Sequence, residues 1–257
     1  MSDNNLSKIC KNCGKNFTGN YCNFCGQSSD THKINFHYVI HEIQHSIFHF
    51  DGGIFYTMKE LIKRPGNSIR EFIEGKRVNH FKPVTYVIIL SIIHSFLEHS
   101  GKRKPFIEDF LLGVLQSIKQ NGKVLKSNGN FSILEWLIHH YAYTALLLIP
   151  IFSLASLISF RKSKFNYFEH LVLNAYTFGQ ITLIFILSFP LSYLFKHDEN
   201  FEYFKILLSV AYTFWVFYHF FNDLKKNYRI INTIMTYCLF LIFFYILILL
   251  IFTTTLL

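Results

Sequence analysis

Four cysteines stand near the start of the chain at a spacing that suits a single metal ion. In "CKNCGKNFTGNYCNFCGQ", residues 10–27, Cys10 and Cys13 form one Cys-x2-Cys pair and Cys22 and Cys25 form a second. Four thiolates make the closed tetrahedral set of structural zinc, with no coordination position left for a substrate. Gly14 and Gly26 each follow the second cysteine of a pair, where a tight turn must bring both sulfurs onto one ion. The intervening residues predict a short hairpin with Gly19-Asn20 at its tip. A unit of this size, residues 1–30, cannot bury enough apolar surface to fold alone, so the metal supplies its folding energy. The chain opens on polar "MSDNNLSKIC" with no apolar signal core, which favours zinc thiolates in a reducing cytosol over disulfides.

A second stretch, "NFHYVIHEIQHSIFHF", repeats histidine every four residues at His37, His41, His45 and His49. On a helix these form one slowly drifting stripe. A solvated polar face is the plain reading, and a pH-sensing face is an intermediate one. The sharper reading is a second metal on His41 and His45 beside Glu42. "HEIQH" also matches the His-Glu-x-x-His pattern of zinc proteases, with Glu42 as general base. Such an enzyme would need a third ligand and a cleft, and its helix would lie some forty residues ahead of the first apolar span.

Basic residues crowd in front of that span. Arg64, Arg70, Lys76, Arg77 and Lys82 could meet anionic lipid headgroups, or serve only to fix membrane orientation. Ionisable groups recur at the ends of apolar segments: Glu169 and His170 on one, His219 and Asp223 on another. They form a candidate intramembrane polar site, or else interfacial residues that reach water. Asn174, Gln180 and Asn232 lie deeper within apolar sequence.

The elements that must position these groups follow from composition. Of 257 residues, 51% are hydrophobic and only 16% charged, against about a quarter charged in soluble domains. A hydrocarbon core of ~30 Å takes about 20 apolar residues of helix. Candidate spans begin at Pro83 and cover 141–160, 171–195, 203–221 and 230–252. Phe55, Met58, Leu61 and Ile62 predict a short amphipathic helix ended by Pro65-Gly66. Ser68 with Glu71 predicts a capping box for the next helix, closed at Gly75. The fold class expected is therefore mainly α: a polytopic membrane protein with about five transmembrane helices (83–257). Before these come a four-cysteine zinc ribbon (1–30) and juxtamembrane amphipathic helices (31–82).

Charge sets the expected orientation. Eleven Lys and Arg precede Pro83, and three each lie in "RKSK" (161–164) and "KKNYR" (225–229). With five spans these share one side, so the positive-inside rule puts the N-terminus in the cytosol and the C-terminus outside. The basic stretch 100–130 runs against this, unless its "EDFLLGVLQSIKQ" lies in the interface as an amphipathic helix.

The order of a knuckle ending "CGQ", then "FHFDGGIFYTMKELIKRPGNSIREFIEGKRVNHFKPVTY", then "FEHLVLNAY" resembles a bacterial membrane family, domain-of-unknown-function family 3667. "RPG", "REFIEGKR" and "HFKP" are its most specific stretches. The resemblance implies a cytosolic zinc ribbon on a multi-span inner-membrane protein and no particular reaction. With the residues themselves, it leads us to expect a non-enzymatic docking or assembly protein. Its partners would be anionic membrane lipids and a cytosolic protein met by the ribbon, without nucleic acid. A transporter or lipid-handling protein is the alternative, and a metalloprotease using His41, Glu42 and His45 the third reading.

Overall fold

Hydrophobic periodicity switches twice along this chain, and the architecture follows it. A computed structural model describes residues 7–40, 53–100, 141–194 and 199–256. Two short strands, β1 (Lys8–Ile9) and β2 (Asn16–Phe17), pair antiparallel with Lys8 opposite Phe17 and Ile9 opposite Asn16. Seven helices have both ends among the described residues: α1 (Ile54–Lys63), α2 (Pro65–Glu74), α3 (Pro83–Ser100), α4 (Tyr141–Ser159), α5 (Tyr167–Leu194), α6 (Glu199–Phe220) and α7 (Lys226–Leu256); residues 36–40 are helical as well.

The hairpin expected between the two cysteine pairs is not where the strands form. β1 and β2 instead flank the first knuckle, and Tyr21 bridges Ser28 across the second. Each Cys-x2-Cys-Gly turn closes its own strand pair. The Cys10 N–H donates to Lys15 O and the Gly14 N–H to Cys10 O. Twelve residues on, Cys22 donates to Gln27 and Gly26 to Cys22 in the same arrangement. Gly14 and Gly26 adopt φ of 72° and 73°, the left-handed region the turn requires.

Proline and glycine set α1 and α2. α2 begins on Pro65, whose missing N–H costs nothing at the first helical position. Ser68 therefore lies inside the helix, not at its cap. Its hydroxyl bonds His80 Nε2 at 2.9 Å, while Glu71 turns to Arg64. The Ser68–Glu71 capping box is thus corrected, because the proline starts the helix one turn earlier. The C-terminus forms as the sequence predicts. Gly75 takes φ 115°, its N–H reaches Phe72 O, and the Lys76 N–H reaches Glu71 O, a Schellman closure.

α5 is the central helix, packed by α3, α4 and α6 and met by α1 and α2, while α7 lies against α4 and α6. One continuous core runs from Ile34 through Leu61, Phe72 and Tyr176 to Phe217 and Phe221, so the N-terminal helices share it with the apolar bundle. Gly179 of α5 lets the Tyr86 ring of α3 lie where a Cβ would stand, 2.5 Å from Tyr86 Cδ1. Three tyrosine hydroxyls tie the layers together: Tyr86 donates to Gln180 Oε1 (2.6 Å), Tyr176 to Phe81 O (2.5 Å) and Tyr212 to Leu61 O (2.9 Å).

The count of five spans is also corrected. Among the described residues, two helices are long and apolar enough to cross a membrane, Tyr167–Leu191 and Lys226–Leu250. Pro83–Glu98 and Leu146–Ser159 are shorter apolar helices. α6 carries Glu199, Glu202 and Lys205 in its first turns, which shortens its apolar run. The large side chains Ile92, Phe96, Leu147, Leu187, Leu207, Ile231, Leu241 and Tyr245 stand exposed on five different helices.

Candidate metal centre

The two knuckles bring all four cysteine sulfurs within 4.8 Å of one another. Cys10 Sγ lies 3.5 Å from Cys25 Sγ and Cys13 Sγ lies 3.6 Å from Cys22 Sγ. A disulfide would need about 2.05 Å. A tetrahedron with metal–sulfur bonds of ~2.3 Å has edges of about 3.8 Å, close to these separations. Cys10 and Cys22 are buried beside Phe17, Cys25 is half-buried and Cys13 lies at the surface. The four cysteines could hold a metal ion.

The thiols are tuned unequally. Burial opposes ionisation of Cys25, but the Gln27 N–H, the Asn12 side chain and the neighbouring thiols pull it down to about 6. The Lys15 N–H favours the Cys13 thiolate, yet desolvation and three nearby sulfurs push it up to about 11. The Cys25 thiolate forms readily while Cys13 keeps its proton, which a bound cation would displace.

Gln27 joins this ribbon to the helices. It is buried, and its Oε1 accepts the N–H groups of Arg77 (3.0 Å) and Val78 (3.1 Å). Lys11 Nζ donates to Thr31 O at 3.1 Å, and its stem lies where a Cβ on Gly75 would stand. Gln27 was present in the quoted "CGQ", but a glutamine after a knuckle glycine has no pattern that announces two backbone partners fifty residues away.

The five basic residues are engaged in different ways. Arg64 forms a bidentate pair with Glu71 (3.1 Å to each oxygen) and meets Glu60 at 2.5 Å. The Glu71 bonds first, against some desolvation, raise its pKa further. Burial works against Glu71 ionising, but Arg64 and Lys76 hold its carboxyl below the usual range. Arg70 reaches from α2 to the end of α6, bonding Asp223 (2.5 Å), the Phe220 carbonyl (3.3 Å) and Asn222, with Glu74 at 3.1 Å. Lys76 meets Glu71 at 3.4 Å. Arg77 donates to the carbonyls of Phe72 and His32 and lies over the rings of Tyr38 and Phe72. The Lys82 ammonium makes no hydrogen bond or ion pair among the described residues.

Glu169, His170, His219 and Asp223 serve four separate arrangements. Asn166 and Glu169 make a reciprocal capping box at the start of α5: Asn166 N–H to Glu169 Oε2 at 2.7 Å, Glu169 N–H to Asn166 Oδ1 at 3.0 Å. His170 Nδ1 pairs with Ser156 Oγ at 2.9 Å inside a buried cluster where Asn174 also bonds Ser153 and Ser156. His219 Nδ1 faces Trp215 O of its own helix. Asp223 accepts from Arg70. The serines of that cluster escaped sequence reasoning because serine inside an apolar helix usually bonds only its own backbone. His41, Glu42 and His45 lie outside the described residues.

No curated protein and no solved structure matches the chain. Residues 51–94 match a family model, and the matched stretch holds α1, α2, the Arg77–Pro83 connection and most of α3. That segment, the one carrying "RPG", "REFIEGKR" and "HFKP", matches the family described as protein of unknown function (DUF3667).

Proposed function

We propose that the chain is an integral membrane protein whose cysteine ribbon holds a structural zinc ion on the cytosolic face and serves as a docking or assembly surface, with no reaction of its own. The observation that carries this is the ribbon's two-sidedness. Its inner side is fastened through Gln27 to Arg77 and Val78, whereas Ile9, Tyr21 and Phe24 stand 73%, 67% and 60% exposed on its outer side. Apolar side chains concentrated on so small a unit suit a protein partner. Zinc fits the all-sulfur donor set, and bound there by Cys10, Cys13, Cys22 and Cys25 it would act as a cross-link.

Membrane integration is supported by the apolar outer faces of α3–α7, which would stand against water in a soluble monomer. The contacts of 31–82 with residues 166 and 220–223 gather the basic segments toward one end of the bundle. The positive-inside rule puts that end in the cytosol of a bacterial inner membrane. α7 starts there at Lys226 and runs about 46 Å away, so the C-terminus would lie across the membrane.

Lipid handling is the second reading, favoured by an apolar cleft of ≈ 350 Å³ lined by Ile62, Leu183, Leu187, Leu208 and Trp215 with Gln180. The metalloprotease reading rests on "HEIQH" alone.

One experiment covers the metal and the docking face. Metal content of detergent-purified protein should be one zinc per chain, lost in Cys10→Ser/Cys13→Ser and kept in His41→Ala/His45→Ala. Cross-linked partners should be retained by wild type and lost from Ile9→Ser/Tyr21→Ser/Phe24→Ser. A second metal lost with the histidines would revive the enzyme reading, and an unchanged partner set in the triple variant would sink the docking role.

A further inference from the structure

A cleft of ≈ 510 Å³ opens where the ribbon meets the helices, a size typical of small-ligand sites. Tyr38, Tyr56 and Phe72 supply aromatic walls, Arg77 and Lys82 supply the nitrogen donors, and the His80 ring completes the lining. Among the described residues no carboxylate lines it. The excess of cationic groups in a partly desolvated cleft selects for an anion.

Arg77 and the His80 ring are held in place. The Arg77 guanidinium gives Nε–H to Phe72 O at 3.2 Å and Nη2–H to His32 O at 2.8 Å, and stacks over Tyr38 at 4.7 Å. Arg carries five N–H donors, so these bonds orient the fork without exhausting it. His80 is set between Tyr56 (5.3 Å) and Phe72 (5.8 Å), with Nε2 on Ser68 Oγ. Its Nδ1 is buried, and the Lys76 carbonyl also acts on the ring. Lys82 differs from Arg64 and Arg70, whose charges are spent on carboxylates.

We propose that this cleft binds a phosphoryl group, carried by a lipid headgroup or by a soluble phosphomonoester whose organic part lies against the tyrosine and phenylalanine rings. Arg77 gives geometric recognition of the oxygens and Lys82 the mobile point charge. Because Gln27 lines the same cleft and bonds the Arg77 backbone, the ribbon forms one wall of the site. This assignment depends on neither the membrane nor the docking role proposed above.

The test titrates the full chain in detergent with inorganic phosphate and with dihexanoyl phosphatidate, using dihexanoyl phosphatidylcholine as the zwitterionic control. Lys82→Glu should weaken binding by about tenfold or more, the scale of losing a charge-assisted bond. Lys63→Glu makes the same charge change at an exposed α1 position outside the cleft and should leave binding within about twofold. Lys82→Gln, with an intermediate loss, serves if Lys82→Glu melts below wild type. Lys82-dependent binding of both probes supports a soluble phosphoester as well as a lipid, and binding of phosphatidate alone assigns the headgroup. Failure of both probes to bind, or binding that Lys82 substitutions leave unchanged, overturns the assignment.

Discussion

His80 shows what one side chain does at the junction of ribbon and helices. Burial, its largest influence, lowers its pKa from 6.5, only partly countered by Glu71 and the Lys76 carbonyl. An unfolded chain would then bind more protons than the native one between the folded value and 6.5, so stability rises with pH across that interval. The contribution is complete above about pH 6.5 and lost as pH falls through the folded value. We expect the melting temperature of wild type to drop more steeply between about pH 7 and pH 5 than that of His80→Gln. Parallel curves from a thermal-shift titration would remove His80 from the account. Arg70 acts at the same scale by a different route. It crosses from α2 to Asn222 and Asp223, a link between residues 152 and 153 positions apart that charge patterning alone did not distinguish from a lipid-facing arginine.

Gly66 decides how two elements meet. A Cβ at this position would stand 2.5 Å from the Val216 carbonyl oxygen and also collide with the Phe220 backbone nitrogen, so α2 reaches α6 backbone to backbone. Backbone cannot yield as a flexible side chain can. Gly66→Ala should therefore destabilise by about 1–3 kcal/mol or more, despite the better helix propensity of alanine. Denaturation in mild detergent checks this, and a variant as stable as wild type would mean that α2 slides on α6. The "RPG" stretch thus carries three roles in sequence: Arg64 pairs with Glu71, Pro65 starts α2 and Gly66 admits α6. The helix break at Pro65-Gly66 and the Gly75 closure were legible, because both depend on local backbone chemistry. The tight approach to α6 was not, since a glycine at a helix start looks the same whether or not another backbone lies beneath it.

At the scale of the whole molecule, α7 carries the clearest prediction. Ile231, Leu241, Ile242 and Tyr245 are each more than half exposed along a helix long enough to cross a membrane. The protein should stay in the membrane pellet through alkaline carbonate extraction. Ile242→Arg near the middle of the apolar run should cost about 2.5–3.5 kcal/mol of insertion free energy and shift protein toward the soluble or degraded fraction. Release of the wild type by carbonate would place this face against another protein instead of lipid.

Sequence by itself determined the cysteine set, the helical class and the apolar character of the chain, because ligand spacing, proline and glycine positions and long apolar runs act through near neighbours along the chain. It overcounted the spans, since apolar content does not reveal how far each helix extends or which charges interrupt it. Only the tertiary structure decided that the hairpins enclose the knuckles, that Gln27 fastens the ribbon, that Glu169 caps α5 and that Arg77, His80 and Lys82 face one cleft. Those arrangements join groups distant in sequence or choose among several local partners, and their energies depend on which surfaces the packed helices bring together.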